Sequence, residues 1–563
     1  MSLKIGVFVC HCGTNIGGVV DVEEVVEYAK GLPNVAWAER NLYTCSENGL
    51  SSIREKIAEH DLNRVIVASC TPRTHEPLFR ANCEKAGLNK YLFEFVNIRE
   101  QCSWIHKNSP DGATLKAKDL VRMGVNKAKS LEEVEDQYTD VIPSSLVLGG
   151  GISGLSAAIS LANQGYDVEL IEREGQLGGL LRGINRLFPT DQPTKEVLDP
   201  LIDSVLKHKK IHVHLMSALV NTQGFIGNFT VTIQKDEKNE DLRTGTIIVA
   251  TGGDELKPKG LFSYGRFDNV MTQLEFEQRY KSDYRGFNDI VMINCVGVRT
   301  DERPYCGRFC CITALKNAIL LKEANPQSQI TVLHRDIMAT GKIYEDYYRR
   351  ALSIGVRFVR HSVEKPPVIT GSDGTADNVK VSHGLTGADI DIRADLVLLT
   401  TPIVPGDDSE RLSKMMKIPL GVDGFFLEAH QKLRPVEFPT DGIFIAGCAR
   451  YPSEISECTT QGLAAAAKAG VPMAQGRVLT EPLISVVNSE MCSSCGRCIN
   501  ICPFGAIDWK DNRGTPVAYI NPAECKGCGL CSASCLSGAI HVKGFSDKGI
   551  MDAVSAMEEH FIM

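Results

Sequence analysis

The segment SSLVLGGGISGLSAAISLANQGYDVELIERE constrains the fold of this chain more than any other. An apolar strand pattern at 146–148 runs into Gly149-x-Gly151-x-x-Gly154. A helical run follows at 155–163, and a second apolar strand at 168–171 ends in Glu172, with Arg173 beside it. The three glycines allow, in order, a tight turn, close approach of backbone to a pyrophosphate, and close helix–strand packing. Glu172 falls 18 residues after Gly154, where an acid hydrogen-bonds a ribose hydroxyl. GxGxxG alone is weak evidence. Strand, glycine turn, helix, strand and acid in that order predict a βαβ dinucleotide-binding unit within an α/β multidomain chain.

The loop after the acid, GQLGGLLRG, supplies Gly178 and Gly179. This resembles flavoproteins of the thioredoxin reductase type, in which the matching loop lies along FAD. Two later stretches carry the same resemblance: TIIVATGG at 246–253, with Ala250, Thr251 and Gly252, and DGIFIAGCA at 441–449, with Gly447. That family normally places Gly-Asp at the second, the aspartate holding the ribityl chain. Here Cys448 follows Gly447, as a weakened flavin contact or a small buried residue at a strand end. The expectation is FAD.

The 563 residues exceed one core and predict three or four domains. A net charge of −8 argues against a nucleic-acid footprint, and no apolar run approaches the length of a membrane span. The start, MSLKIGVFVC, reads as a β-strand and not a signal peptide, so a cytoplasmic location is expected. In a reducing compartment, 20 cysteines point to metal ligands or redox groups ahead of disulfides.

CSSCGRCINICP places Cys492, Cys495, Cys498 and Cys502 at C-x2-C-x2-C-x3-C-P, and CKGCGLCSASCL repeats the spacing with Cys525, Cys528, Cys531 and Cys535. This is the bacterial ferredoxin pattern, in which the fourth cysteine of each run ligates the other cluster. One [4Fe–4S] cluster takes Cys492, Cys495, Cys498 and Cys535, and the second takes Cys525, Cys528, Cys531 and Cys502. A zinc pair is the plainer alternative, but zinc sites rarely use a third cysteine at x2 and a fourth at x3 followed by proline.

Upstream, NDIVMINCVGVR begins as a strand where a second Rossmann unit would bind NAD(P)H. In place of a glycine loop come Cys295, Cys306, Cys310 and Cys311, and a helix resumes in ITALKNAILLKEA. A pyrophosphate could not approach such a loop, so no NAD(P)H is expected in this unit. Neighbouring Cys310 and Cys311 make strained disulfide partners, and a further [4Fe–4S] cluster is the better reading. Lys316, five residues on, would stabilise an anionic reduced flavin if its tip reached the ring; the alternative is a solvated helix lysine.

Near the start, strand patterns alternate with helical ones and end at Cys10, Cys12, Cys45, Cys70 and Cys102. The carboxyl ends of parallel strands share one rim, so four of these five are expected to hold another [4Fe–4S] cluster, with one or two scattered buried thiols as the plainer alternative. Cys83 is assigned to packing. Arg73 and His75, in what reads as a proline-punctuated loop, are expected to be solvated.

Taken together, VFVCHCG, NLYTCS, ASCTPRTHEPLF, YCGRFCC and the terminal double motif resemble the A subunit of heterodisulfide reductase, a flavin-carrying iron–sulfur protein of methanogens and other anaerobes. The resemblance implies electron bifurcation at FAD, with electrons passed among a donor module, a disulfide-reducing partner and ferredoxin. It also implies B- and C-type partner subunits, a homodimer within the complex, and Lys316 near the flavin N5. Longer members carry an inserted ferredoxin domain, whereas this chain has no cysteine between 103 and 294.

The expected domains are an N-terminal α/β iron–sulfur domain (1–140), an FAD domain in two parts (141–285 and 366–475) around a degenerate nucleotide unit with a cluster (286–365), a ferredoxin domain (483–545) and a tail (546–563). Apolar residues at helical spacing in the tail suit docking on a partner or packing on its own ferredoxin domain. The competing function is a self-contained NAD(P)H:ferredoxin flavoprotein, which needs the pyridine nucleotide site that the second unit lacks.

Overall fold

The structure, a computed structural model, describes residues 2–281 and 284–557. It divides into two compact units, residues 1–138 with 479–563, and 139–478.

In the first unit, four parallel strands form a sheet in the order Val35–Asn41, Ile5–Cys10, Arg64–Ser69, Phe93–Asn97. Ile5–Cys10 and most of Arg64–Ser69 are buried, as parallel strands covered by helices on both faces must be. Helices Val22–Lys30 and Glu47–His60 start at Asp21 and Ser46, whose side chains accept the Glu24 and Gly49 N–H groups. The proline-punctuated stretch after Cys70 is not a loop. It forms the helix Pro72–Lys85, with Pro72 at its first turn, where a missing N–H costs nothing, and Pro77 inside at the loss of one helical bond. Arg73 is exposed on it, His75 is half-buried, and Cys83 sits in the apolar core.

The same unit holds a small ferredoxin-like body. Ser485–Val487 pairs antiparallel with Ile540–Val542, and Ile507–Asn512 forms a hairpin with Thr515–Ile520. The short helices Arg497–Ile501 and Leu530–Ala533 are each opened by a glycine at positive φ, Gly496 and Gly529, at matching places in the two cysteine runs. The tail covers neither of its expected neighbours within this chain. Its helix Asp547–Val554 packs on Pro110–Ala128 of the N-terminal part. Ser130 Oγ donates to Asp552 at 2.7 Å and Arg122 Nε to the Ala556 carbonyl at 2.6 Å. Residues 558–563 of the expected tail lie outside the described residues.

The second unit contains two five-stranded parallel sheets of one design. The first runs Ile443–Ile445, Thr246–Val249, Ser144–Leu148, Asp167–Ile171, Ile211–His214; the second runs Val270–Thr272, Leu396–Leu399, Asp289–Ile293, Gln329–His334, Arg357–Arg360. Each carries a three-stranded antiparallel sheet after its outer strand, from Ala218–Phe225 to Lys238–Thr244 and from Val368–Ser372 to Asp389–Arg393. The second layered body therefore extends from 270 to 399, because its sheet recruits strands on either side of the βαβ core. The pair Gly253–Glu255 and Ile403–Pro405 carries the chain out of and back into the first body. Among the described residues no helix is long and apolar enough to cross a membrane.

Candidate functional site

A cavity of about 770 Å3 opens at the carboxyl ends of the first sheet, within the range of cofactor sites. It is lined by Gly149 and Gly151, by Glu172 and Arg173, by Gly178 and Gly179, by Ala250, Thr251 and Gly252, and by Cys448. Helix Ile152–Asn163 starts at Gly151 with no side-chain cap, and nothing stands within 4 Å of where a Cβ would lie on Gly151. Uncapped amides at a helix N-terminus, open to a cavity, suit a pyrophosphate. The donor set fits FAD.

Two of the expected glycines act behind this wall. A Cβ on Gly154 would lie 1.9 Å from the Gly149 carbonyl oxygen, and one on Gly447 would lie 2.2 Å from Ser153 Oγ. Both close the helix onto the strand ends. Glu172 is buried, and its carboxylate accepts the Gly150 N–H at 2.7 Å and the Glu174 N–H at 2.8 Å. Each oxygen keeps a second lone pair for a ribose hydroxyl.

Lys316 is no solvated lysine. It lies in the helix Cys310–Ala324, lines the cavity, and donates from Nζ to Glu277 Oε1 at 2.6 Å and to the Arg186 carbonyl at 3.0 Å. Burial lowers the pKa of its ammonium from the usual lysine value, and Glu277 opposes that shift. Asn317 Nδ2 ties Glu277 to Gln273 from the next position along the helix.

The four thiols of the second βαβ unit gather behind the same wall. Asp289–Ile293 runs into the irregular loop 294–309, and the helix starts with Cys310 and Cys311 in its first turn, two residues earlier than expected. Cys295 is held at φ 60° and Arg308 at φ 62°. Cys310 Sγ lies 3.6 Å from the Thr401 carbonyl, and its neighbour Phe309 lines the cavity together with Thr401. Burial pushes the Cys310 thiol well up, and Cys311, Cys306 and Cys295 add to the shift. Burial likewise raises Cys311 to about 11. Four thiols that disfavour one another's ionisation suit a shared cationic cluster, which removes that penalty. Arg299 stands 4.0 Å from Cys295 Sγ and pairs with Asp336 at 2.8 Å.

In the N-terminal sheet Cys10, Cys12, Cys45 and Cys70 form one group. Burial raises the Cys12 and Cys45 thiols, and in both Cys10 and Cys70 add to it. Thr44 N–H donates to Cys10 Sγ at 3.4 Å, and Arg99 lies where Cys70 and Cys12 act on it. Cys102 sits apart, in a turn after Phe93–Asn97. Burial raises its thiol to about 12, with Lys116 as the opposing charge.

In the ferredoxin body, Cys498 feels Cys492 and Cys495, Cys531 feels Cys525 and Cys528, and Cys495 feels Cys535 of the other run. Ala506 N–H donates to Cys502 Sγ at 3.4 Å and Ala539 N–H to Cys535 Sγ at 3.3 Å, a repeated device that stabilises thiolate charge. Among the described residues no three such side chains close on the radius of a single metal ion.

Two residues on the cavity wall escaped the sequence reading. Glu277 sits in a helix whose only sequence signal is the capping box of Thr272 and Glu275. Cys458, in the first turns of Ile455–Gln475, carries no motif spacing to Cys448, yet both line the cavity.

Residues 491–539 match a 4Fe-4S dicluster domain, and residues 147–199 match an NAD(P)-binding Rossmann-like domain. The thioredoxin reductase of Lactococcus lactis is similar at 17% identity and a TM-score of 0.44, over 59% of this chain and 99% of that one. Two dinucleotide-type sheets and a dicluster domain make the chain an iron–sulfur flavoprotein of the oxidoreductase class. It is 38% identical to an iron-sulfur A subunit of the CoB--CoM heterodisulfide reductase of Methanopyrus kandleri, the second of two in that organism, over 91% of this chain and 92% of that protein. It is 36% identical to the A subunit of the H(2):CoB-CoM heterodisulfide,ferredoxin reductase of Methanothermobacter thermautotrophicus, over 90% and 91%. The chain belongs to the family of heterodisulfide reductase A subunits. The first alignment runs to 605 positions although this chain has 563 residues, so the relative carries segments this one lacks.

Proposed function

We propose that this protein splits electron pairs within a heterodisulfide reductase-like complex, sending one electron toward a disulfide-reducing partner and one toward ferredoxin. The observation that carries the reading is the cavity wall itself: the buried Lys316–Glu277 pair faces the cavity on the helix whose first turn holds Cys310 and Cys311. FAD, when bound, takes up electrons in pairs and releases them singly. Lys316 holds positive charge against the cavity, and Glu277 fixes its position. Cys295, Cys306, Cys310 and Cys311 hold a [4Fe–4S] cluster in place of a nucleotide phosphate loop. Cys10, Cys12, Cys45 and Cys70 hold another, and the two ferredoxin runs hold two more. Two relatives carry both a heterodisulfide and ferredoxin in their names, which supports two acceptors of different potential. B- and C-type subunits, a donor module and a homodimer within the complex complete the reading.

The test is a pair of anaerobic additions to the purified holoprotein. Reduced ferredoxin should bleach the flavin absorbance, more slowly in Cys306→Ala, and NADH should not. Bleaching by NADH with no response to ferredoxin would replace this reading by a self-contained NAD(P)H-dependent flavoprotein.

A further inference from the structure

Cys448 and Cys458 stand with their sulfurs 4.0 Å apart on the cavity wall, outside all four groups of cluster thiols. Cys448 lies in the short turn Gly447–Ala449 after the strand Ile443–Ile445, and Cys458 lies on the helix Ile455–Gln475. One residue organises both. The Ser453 carbonyl accepts from Cys448 Sγ at 3.4 Å and from Cys458 Sγ at 3.7 Å, while Ser453 N–H donates to Cys448 Sγ at 3.4 Å. A disulfide needs the two sulfurs to close to about 2.05 Å, a movement that side-chain rotation and a small shift of the turn can supply.

The two thiols are unequal. The hydrogen bond from Cys458 lowers the pKa of Cys448, whereas that same bond, with burial, raises Cys458. Cys448 is also the more accessible of the two. One thiol is thus poised as an attacking thiolate and its neighbour keeps its proton, the division of labour of an exchanging dithiol.

We propose that Cys448 and Cys458 are a redox-active dithiol that exchanges with a low-molecular-weight disulfide. Cys448 Sγ attacks one sulfur of the small disulfide, whose S–S bond breaks; the leaving sulfur takes a proton and departs as a thiol. Cys458 Sγ then attacks the Cys448 sulfur, the mixed disulfide breaks, and the second small thiol leaves with the proton that Cys458 gives up. Two electrons pass from the two cysteines to the small disulfide, and a Cys448–Cys458 bond remains. The step is independent of electron bifurcation.

The test uses holoprotein equilibrated anaerobically with mixtures of reduced and oxidised glutathione, approached from both the reduced and the oxidised side. Samples are alkylated under denaturing conditions and digested with trypsin, which cuts after Lys432, Arg450 and Lys468 and places each cysteine alone on its peptide, 433–450 and 451–468. The expected result is a disulfide-linked peptide pair whose fraction follows the glutathione ratio with one midpoint from both directions, while iron content stays constant. In Cys458→Ser the glutathione adduct should accumulate on Cys448, and in Cys448→Ser it should be absent from Cys458. Full alkylation of both cysteines at every ratio would overturn the proposal, as would linkage that reduced glutathione fails to reverse.

Discussion

Lys316 Nζ lies 2.6 Å from Glu277 Oε1, with both side chains about 1% exposed. Removing one member of a buried ion pair strands the other charge and costs about 3–5 kcal/mol. Lys316→Met and Glu277→Gln should therefore each lower the thermal midpoint, and the double variant should recover much of the loss. Flavin potentials should separate the two roles. Lys316→Met removes a cation that favours negative charge on the reduced flavin, so the potential should fall; Glu277→Gln leaves that cation unneutralised, so it should rise. Equal shifts of one sign would contradict the arrangement.

The crossed ligation of the ferredoxin body predicts a specific pattern of loss. Cys535 acts on Cys495 of the other run, so Cys535→Ala should disrupt the cluster of Cys492, Cys495 and Cys498. Cys502→Ala should disrupt the other. Each variant should lose about four irons per chain, given one cubane per site. The lost electron paramagnetic resonance signal should differ between the two.

The N-terminal group predicts unequal cysteines. Cys12→Ala should remove about four irons, whereas Cys102→Ala should keep its iron, because Cys102 lies apart with Lys116 as its facing charge. Iron analysis of both variants decides which four thiols ligate.

His334, at the end of the strand Gln329–His334, has its pKa lowered to about 4 by burial, with His361 and Arg360 adding to it. The unfolded chain binds this proton near the ordinary histidine pKa and the folded chain only near 4. Stability from this group is therefore full above about 6.5 and lost as pH falls toward 4. The slope should not exceed about 1.4 kcal/mol per pH unit, reduced by solvent screening at this half-buried site. Thermal midpoints of His334→Gln should fall less steeply than those of the unaltered protein between pH 7 and 5.5.

The flavin half of the site was legible wherever chemistry leaves a short local pattern. A glycine turn needs small residues at fixed offsets, so Gly149, Gly151, Gly178 and Gly179 announced a cavity that the fold then built. The ferredoxin cysteines were legible for the same reason. Glu277 was not, because it meets Lys316 from 39 residues upstream and only the packing of two helices brings them together. Cys458 was hidden likewise, since its relation to Cys448 depends on a turn that reverses the chain at Ser453. The helix Pro72–Lys85 was misread because its two prolines suggest a loop, while tertiary burial of Phe79, Asn82 and Cys83 holds it helical. The tail helix was placed on the wrong neighbour because an amphipathic face says that something covers it, and not what.

Iron, acid-labile sulfide and FAD per chain, after strictly anaerobic purification, test the central claim most directly. Four cubane clusters predict about 16 irons, matching sulfide and one FAD. About 8 irons would mean that the terminal ferredoxin alone carries clusters, and that the thiols behind the flavin cavity are no relay.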